Sequence, residues 1–178
     1  MSDHALTAWL FGKLPAHGDF VARGLSMHER NVLDDWLTSE MVHAQAKLGD
    51  TFTDCYDQAP PWCFIRKDSS AEWAGGAVCP SVDSAGRRFP ILLARAQLKP
   101  QEAVSAARSC IDMIYLAFEE SMTAESLISV AARLEPEIIT AKIEECWWVE
   151  DAAHEPLLRL EGQFPDGLIA AMLEGAIQ

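Results

Sequence analysis

The sequence of 178 residues is short of positive charge: 14 Lys and Arg stand against 27 Asp and Glu, a formal net charge of −13. A chain this acidic repels phosphate backbones and anionic bilayers, so nucleic-acid and membrane-surface partners are disfavoured. Long apolar runs are also missing. No stretch approaches the ~18 residues that a membrane-spanning helix needs, so no membrane insertion is expected. The N-terminal MSDHALTAWLFGKLPAHGD has no basic n-region, and AWLF is too short for a secretory h-region, which predicts a cytoplasmic chain. Five dispersed cysteines (Cys55, Cys63, Cys79, Cys110, Cys146) form no C-x-x-C pair and have no histidine at metal-ligand spacing. That excludes a disulfide framework and predicts reduced thiols, most of them small core residues. No linker-like stretch divides the chain: the one tempting break, Leu98-Lys99-Pro100, is too short and too apolar. A single domain, 1–178, is the expectation.

What is present suffices for a globular core, with 49% hydrophobic residues. Residues 8–14, AWLFGKL, read as a buried strand closed by Pro15, with Gly12 marking a bulge or a close backbone approach. Ser26 followed by Glu29 has capping-box spacing, and Val32, Leu33, Trp36, Leu37, Val42 and Leu48 continue a helix that Gly49 ends. TFTDCYDQ suits a helical turn. WCFIRK and EWAGGAVC, separated by DSSA, look like a hairpin, and FPILLARAQL is a strand covered on both faces. Helical spacing follows from 101, then from Ala124 to Glu135 before Pro136. Cys146 to Val149 returns to strand, and 164–176 reads as a terminal helix. The adjacent Trp147 and Trp148 must face opposite ways on that strand. Strands alternating with helices in this order predict an α/β fold with a mixed central sheet and helices packed on it.

Charge is uneven along the chain. Residues 1–98 hold 9 basic and 12 acidic side chains, whereas residues 99–178 hold 5 and 15. The acidic helical half is either a docking face for a basic partner or a solubilising cover. Its cluster Glu144, Glu145, Glu150, Asp151, His154 and Glu155 lacks fixed ligand spacing and reads as a solvated rim, so no metal or cofactor is expected.

Two polar segments exceed what core packing requires. The first, Gly12 to Phe20, packs Lys13, His17, Gly18 and Asp19 behind a strand. It is no P-loop: the lysine comes first, no Ser or Thr follows it, and Pro15 lacks an N–H. A tight turn with Gly18 at positive φ is the plainer reading. The second, Pro80 to Pro90, carries Ser81, Asp83, Gly86, Arg87 and Arg88. Either an arginine clamps a partner's carboxylate or phosphorylated side chain, or Asp83 pairs with Arg87 or Arg88 and shapes the loop, with Gly86 at a left-handed corner. A hydrolase built from Ser81 or Cys79 with His17 has the residue types but lacks the G-x-S-x-G elbow.

The two segments and their flanks are Phe11-Gly-Lys-Leu-Pro-Ala-His-Gly-Asp-Phe-Val-Ala-Arg-Gly-Leu25, Leu33-Asp-Asp-Trp-Leu37, Ala59-Pro-Pro-Trp-Cys-Phe64 and Trp73-Ala-Gly-Gly-Ala-Val-Cys-Pro-Ser-Val-Asp-Ser-Ala-Gly-Arg-Arg-Phe-Pro-Ile91. This order resembles the TagF/ImpM family of type VI secretion-associated proteins, whose members show G-K-L-P-x-x-G-D-F, D-x-W-L, P-x-W-x-F and G-V-x-x-P-S-x-D-x-x-G-R-x-F-P. The resemblance is dense from residue 9 to about 95. Arg88 stands where many members have an aromatic residue, and Cys63 where arginine is more usual. The resemblance implies a three-layer α/β/α sandwich and a cytoplasmic accessory protein without enzymatic activity. It would repress assembly or firing of the secretion system after translation, through an Fha-type forkhead-associated scaffold. It would also be the stand-alone form, without the phosphatase domain fused to some relatives.

Overall fold

The structure, a computed structural model, describes residues 7–68 and 71–175. Along the chain run β1 (Ala8–Gly12), β2 (Val21–Arg23), α1 (Met27–Leu48), α2 (Phe52–Gln58), β3 (Trp62–Lys67), β4 (Trp73–Cys79) and β5 (Ile91–Leu98). They are followed by α3 (Ala103–Glu119), α4 (Ala124–Ala132), β6 (Cys146–Glu150), β7 (Pro156–Glu161) and α5 (Leu168–Glu174). Residues 69 and 70, in the expected hairpin turn, and 176, at the end of the expected terminal helix, lie outside the described residues. The capping box forms as the sequence predicts. Ser26 Oγ accepts the Glu29 N–H at 3.2 Å, and Glu29 Oε2 accepts the Ser26 N–H at 2.7 Å.

The strands form one sheet in the order β2-β1-β5-β4-β3-β6-β7. Every pair is antiparallel, which corrects the expected mixed sheet. The cause lies in the connections. Parallel neighbours need a crossover of a dozen residues or more. Here the two long helical excursions, α1–α2 and α3–α4, land on strands that are not neighbours of the ones they leave, while short links join β3 to β4 and β6 to β7, and the loop 80–90, still too short for a crossover, joins β4 to β5.

Helices cover both faces. Trp9, Phe11, Phe64, Val78, Leu92 and Trp147 pack with α1, α2 and α5. Leu10, Ala77, Ile91 and Leu93 pack with α3 and α4, and Cys63, Ile65 and Trp148 with the start of α3. Double coverage explains why β5 reads as a continuous apolar run and why both Trp147 and Trp148 are buried. Trp147 stacks on Phe64 with centroids 4.3 Å apart, and its indole N–H donates to Gln163 O at 3.0 Å.

Three elements depart from the sequence reading. The short β2 and the edge strand β7 have no place in it. On α1 the inward stripe is Leu33, Leu37, Glu40, Met41 and Ala44, and Val42 is 60% exposed. Glu40 turns inward because its carboxylate caps α5: it accepts the N–H groups of Gly167 (3.0 Å) and Ile169 (3.2 Å), two of the orphan donors at that helix start. Glu150, expected on a solvated rim, is drawn in by Arg108, the Trp148 indole and His154. Among the described residues no helix is long and apolar enough to cross a membrane.

Candidate functional site

The segments 12–20 and 80–90 meet at one end of β1, β5 and β4, and backbone hydrogen bonds stitch them together. Lys13 N–H donates to Pro90 O (3.3 Å) and Ser84 N–H to His17 O (2.8 Å), while Val82 and Arg88 bridge the base of the second loop. Gly12 makes this approach possible. It sits at φ +133°, and a Cβ there would fall 2.0 Å from Pro90 O. At the tip, Gly86 takes φ +81° and donates to Asp83 O at 2.9 Å, the left-handed corner that the sequence suggests. Gly18 is not at positive φ, contrary to expectation. The turn there is closed by the His17 N–H on Leu14 O at 3.0 Å, without a left-handed residue.

Asp83 is the hub. Its side chain is buried, with Lys13 Nζ at 3.2 Å and Arg87 Nε at 2.7 Å on one oxygen and the N–H groups of Ala85 and Arg87, each at 3.0 Å, on the other. Burial alone would raise this carboxyl. The hydrogen bonds from the Arg87 backbone, Lys13, the Arg87 side chain and the Ala85 backbone outweigh it and hold the pKa at about 2. Arg87 also donates from Nη2 to Gly18 O at 2.7 Å, so one guanidinium ties both loops to the same carboxylate. Lys13 is only 7% exposed and lies 4.9 Å from the Phe20 ring centre.

The remaining candidates have local partners. Arg88 forks onto Asp57 of α2 with two 2.8 Å hydrogen bonds, which lower the Asp57 carboxyl. Ser81 Oγ donates to Lys13 O at 2.7 Å. Asp19 stays at the surface and, among the described residues, accepts its neighbour's N–H, from Phe20 at 2.7 Å. His17 Nε2 accepts the Ala124 N–H at the start of α4, at 2.9 Å. Ser81 and His17 are therefore each committed to backbone, and no hydrogen bond joins them. Burial pushes the Cys79 thiol up to about 12, with nearby Tyr115 acting against it, so the thiol stays protonated at neutral pH.

Two residues that hold the site carry no mark in the sequence pattern. The Tyr56 hydroxyl accepts the Ser81 N–H at 3.0 Å and donates to Ser81 O at 2.9 Å, clamping the second loop to α2, and Asp57 beside it anchors Arg88. The available signal was the tyrosine itself, since a buried hydroxyl needs a partner. Pro15, Tyr56, Asp57, Ser81 and Phe118 line an open cleft of about 290 Å³ beside the hub. The outer wall of the paired loops is aromatic: Phe20, 47% exposed, meets Phe89 edge-on at 4.8 Å.

The fold and the site together define an antiparallel-sheet α/β domain whose two polar loops are locked into one preformed surface. The profile of the TagF N-terminal domain, type VI secretion system-associated, matches residues 9–145, and the chain belongs to that family. The solved structure of PA0076 from Pseudomonas aeruginosa PAO1 superposes with a TM-score of 0.71 at 24% identity, covering 94% of each chain, a likeness of fold. No curated protein matches the sequence.

Proposed function

We propose that the protein is a non-enzymatic cytoplasmic accessory of the type VI secretion system that represses its assembly or activity after translation by binding an Fha-type scaffold. Family membership supplies the link to the secretion system. The observation that carries the binding reading is the Asp83 hub: the densest family motifs converge on one carboxylate that makes two loops a single rigid surface. A preformed surface loses little conformational entropy on association, which suits recognition. The non-enzymatic reading rests on Ser81, His17 and Cys79. The first two are committed to backbone partners, and the third is a buried protonated thiol.

The test is a pull-down of the Fha-type protein with Asp19→Ala and Arg87→Ala, both at exposed positions of the paired loops, alongside a secretion assay. Loss of capture together with restored secretion is the expected result. Variants that still capture the scaffold as wild type does place the partner face elsewhere.

A further inference from the structure

Away from the two loops, the structure holds a second buried cation whose environment is the reverse of Lys13's. Arg66 lies near the end of β3 on the α1/α5 face and is only 7% exposed. Its guanidinium carbon sits 4.6 Å from the Trp9 ring centre and 5.8 Å from that of Phe164, so aromatic rings contribute to its surroundings. Among the described residues its buried Nε finds no hydrogen-bond acceptor, and no carboxylate pairs with the guanidinium. Burial correspondingly lowers its pKa, while Glu29, Asp68 and Glu145 act only through space in the opposite direction. Those carboxylates have other partners: Glu29 accepts the Ser26 N–H, Asp68 the Glu72 N–H, and Glu145 the Lys67 N–H and the Gln163 amide.

The Arg66 Nε–H, buried without an acceptor, is costly to keep, and proteins rarely retain such a group unless something outside the fold completes the guanidinium. Arg66 lines an open cleft of about 270 Å³ together with His28, Lys67 and Phe164. We propose that this cleft is a carboxylate-binding site in which Arg66 receives a single acidic side chain presented by a partner polypeptide. Three features select that ligand. The planar guanidinium fork matches a carboxylate in two parallel hydrogen bonds. Phe164 and Val32 in the cleft lining suit the apolar stem of a side chain. Glu29 and Asp68 at the cleft give it a negative background that a singly charged carboxylate tolerates better than a doubly charged phosphoryl group. The site stands apart from the Asp83 hub and does not depend on the role proposed for the paired loops.

The test is a titration at fixed ionic strength, followed by the NMR signal of the Arg66 Nε–H group and by thermal melting. The probes are sodium acetate, N-acetyl-glutamate methylamide, its glutamine counterpart and inorganic phosphate. Acetate and the glutamate model should shift the signal saturably and raise Tm; the glutamine model should do neither. Arg66→Lys, a point charge without the fork, should weaken the glutamate model about tenfold. Arg66→Met, which fills the space between the two rings, should abolish the response and melt no lower than wild type, because the arginine has no hydrogen-bonded or ionic partner to lose and methionine keeps contact with both rings. Non-saturating shifts, a response equal in Arg66→Met, or phosphate saturating more tightly than acetate would each overturn the proposal. So would a methionine variant that fails to fold, since Arg66 would then serve the fold itself.

Discussion

Lys13, just past the end of β1, and Arg66, within β3, are equally buried cations, each 7% exposed, and their surroundings differ in the acceptors they find. Lys13 points at a carboxylate that also holds Arg87 and two backbone N–H groups. Arg66 meets two aromatic rings, and its buried Nε finds no acceptor among the described residues. The first arrangement uses charge to hold a surface in shape; the second leaves hydrogen-bonding capacity unused. Burial alone therefore does not tell which buried charge is structural, but the set of partners does.

The largest effect should come from removing the shared carboxylate. Asp83→Ala strips the counter-charge from a buried lysine and the acceptor from the Ala85 and Arg87 N–H groups, so its urea midpoint should fall further than that of Glu40→Ala, Tyr56→Phe or Arg87→Ala. A loss no greater than that of Arg87→Ala would break the comparison. The same hub sets an acid limit. With its pKa lowered to about 2, Asp83 contributes stability that is complete above the unfolded-chain value of about 3.9 and declines as the pH falls toward 2. The stability gap between wild type and Asp83→Asn should thus be constant from neutral pH to about pH 5 and narrow below pH 4. A gap that persists unchanged at pH 2 would show that the carboxylate's charge is not what holds the loops.

Smaller losses should follow at neighbouring buried polar groups. Glu40→Ala leaves the Gly167 and Ile169 N–H groups without their acceptor and should cost about 3 kcal/mol in chemical denaturation. Tyr56→Phe removes one hydroxyl that serves both backbone groups of Ser81 and should cost about 2 kcal/mol. If Tyr56→Phe proves as harmful as Asp83→Ala, the clamp from α2, and not the carboxylate hub, is what holds the second loop.

Legibility from sequence follows the range of the interactions. The α1 capping box spans three residues and was readable because both hydrogen bonds lie inside it. The pairing of Asp83 with Arg87 across one turn was one of two readings that the loop allowed. The convergence of the two loops has no local signal, because it depends on β1 lying beside the distant β5, with Gly12 opposite Ile91. Antiparallel order throughout was invisible for the same reason: it depends on where each helical excursion lands. The edge strand β7 leaves little trace in the sequence, because an edge has one partner and most of PLLRLE stays exposed, so little burial pattern marks it. Arg66 was hidden inside WCFIRK, where an arginine near a strand end gives no sign that it faces inward.

The smallest effect belongs to the residue most useful for probing the surface. Arg87 keeps 61% of its side chain in solvent although it touches both Asp83 and Gly18 O. Exposed ion pairs are screened and must hold a long side chain in one geometry, so Arg87→Ala should cost about 1 kcal/mol or less. Asp83 would retain Lys13 and the two backbone N–H groups, and those N–H groups do not depend on the side chain at position 87. The loops should then keep their shape, with the amide signals of 13–20 and 81–90 moving only near the deleted guanidinium. Under that condition a loss of scaffold binding by Arg87→Ala reports contact at the surface. Signal changes spreading through both loops would show instead that the exposed guanidinium, and not the buried lysine, is what joins them.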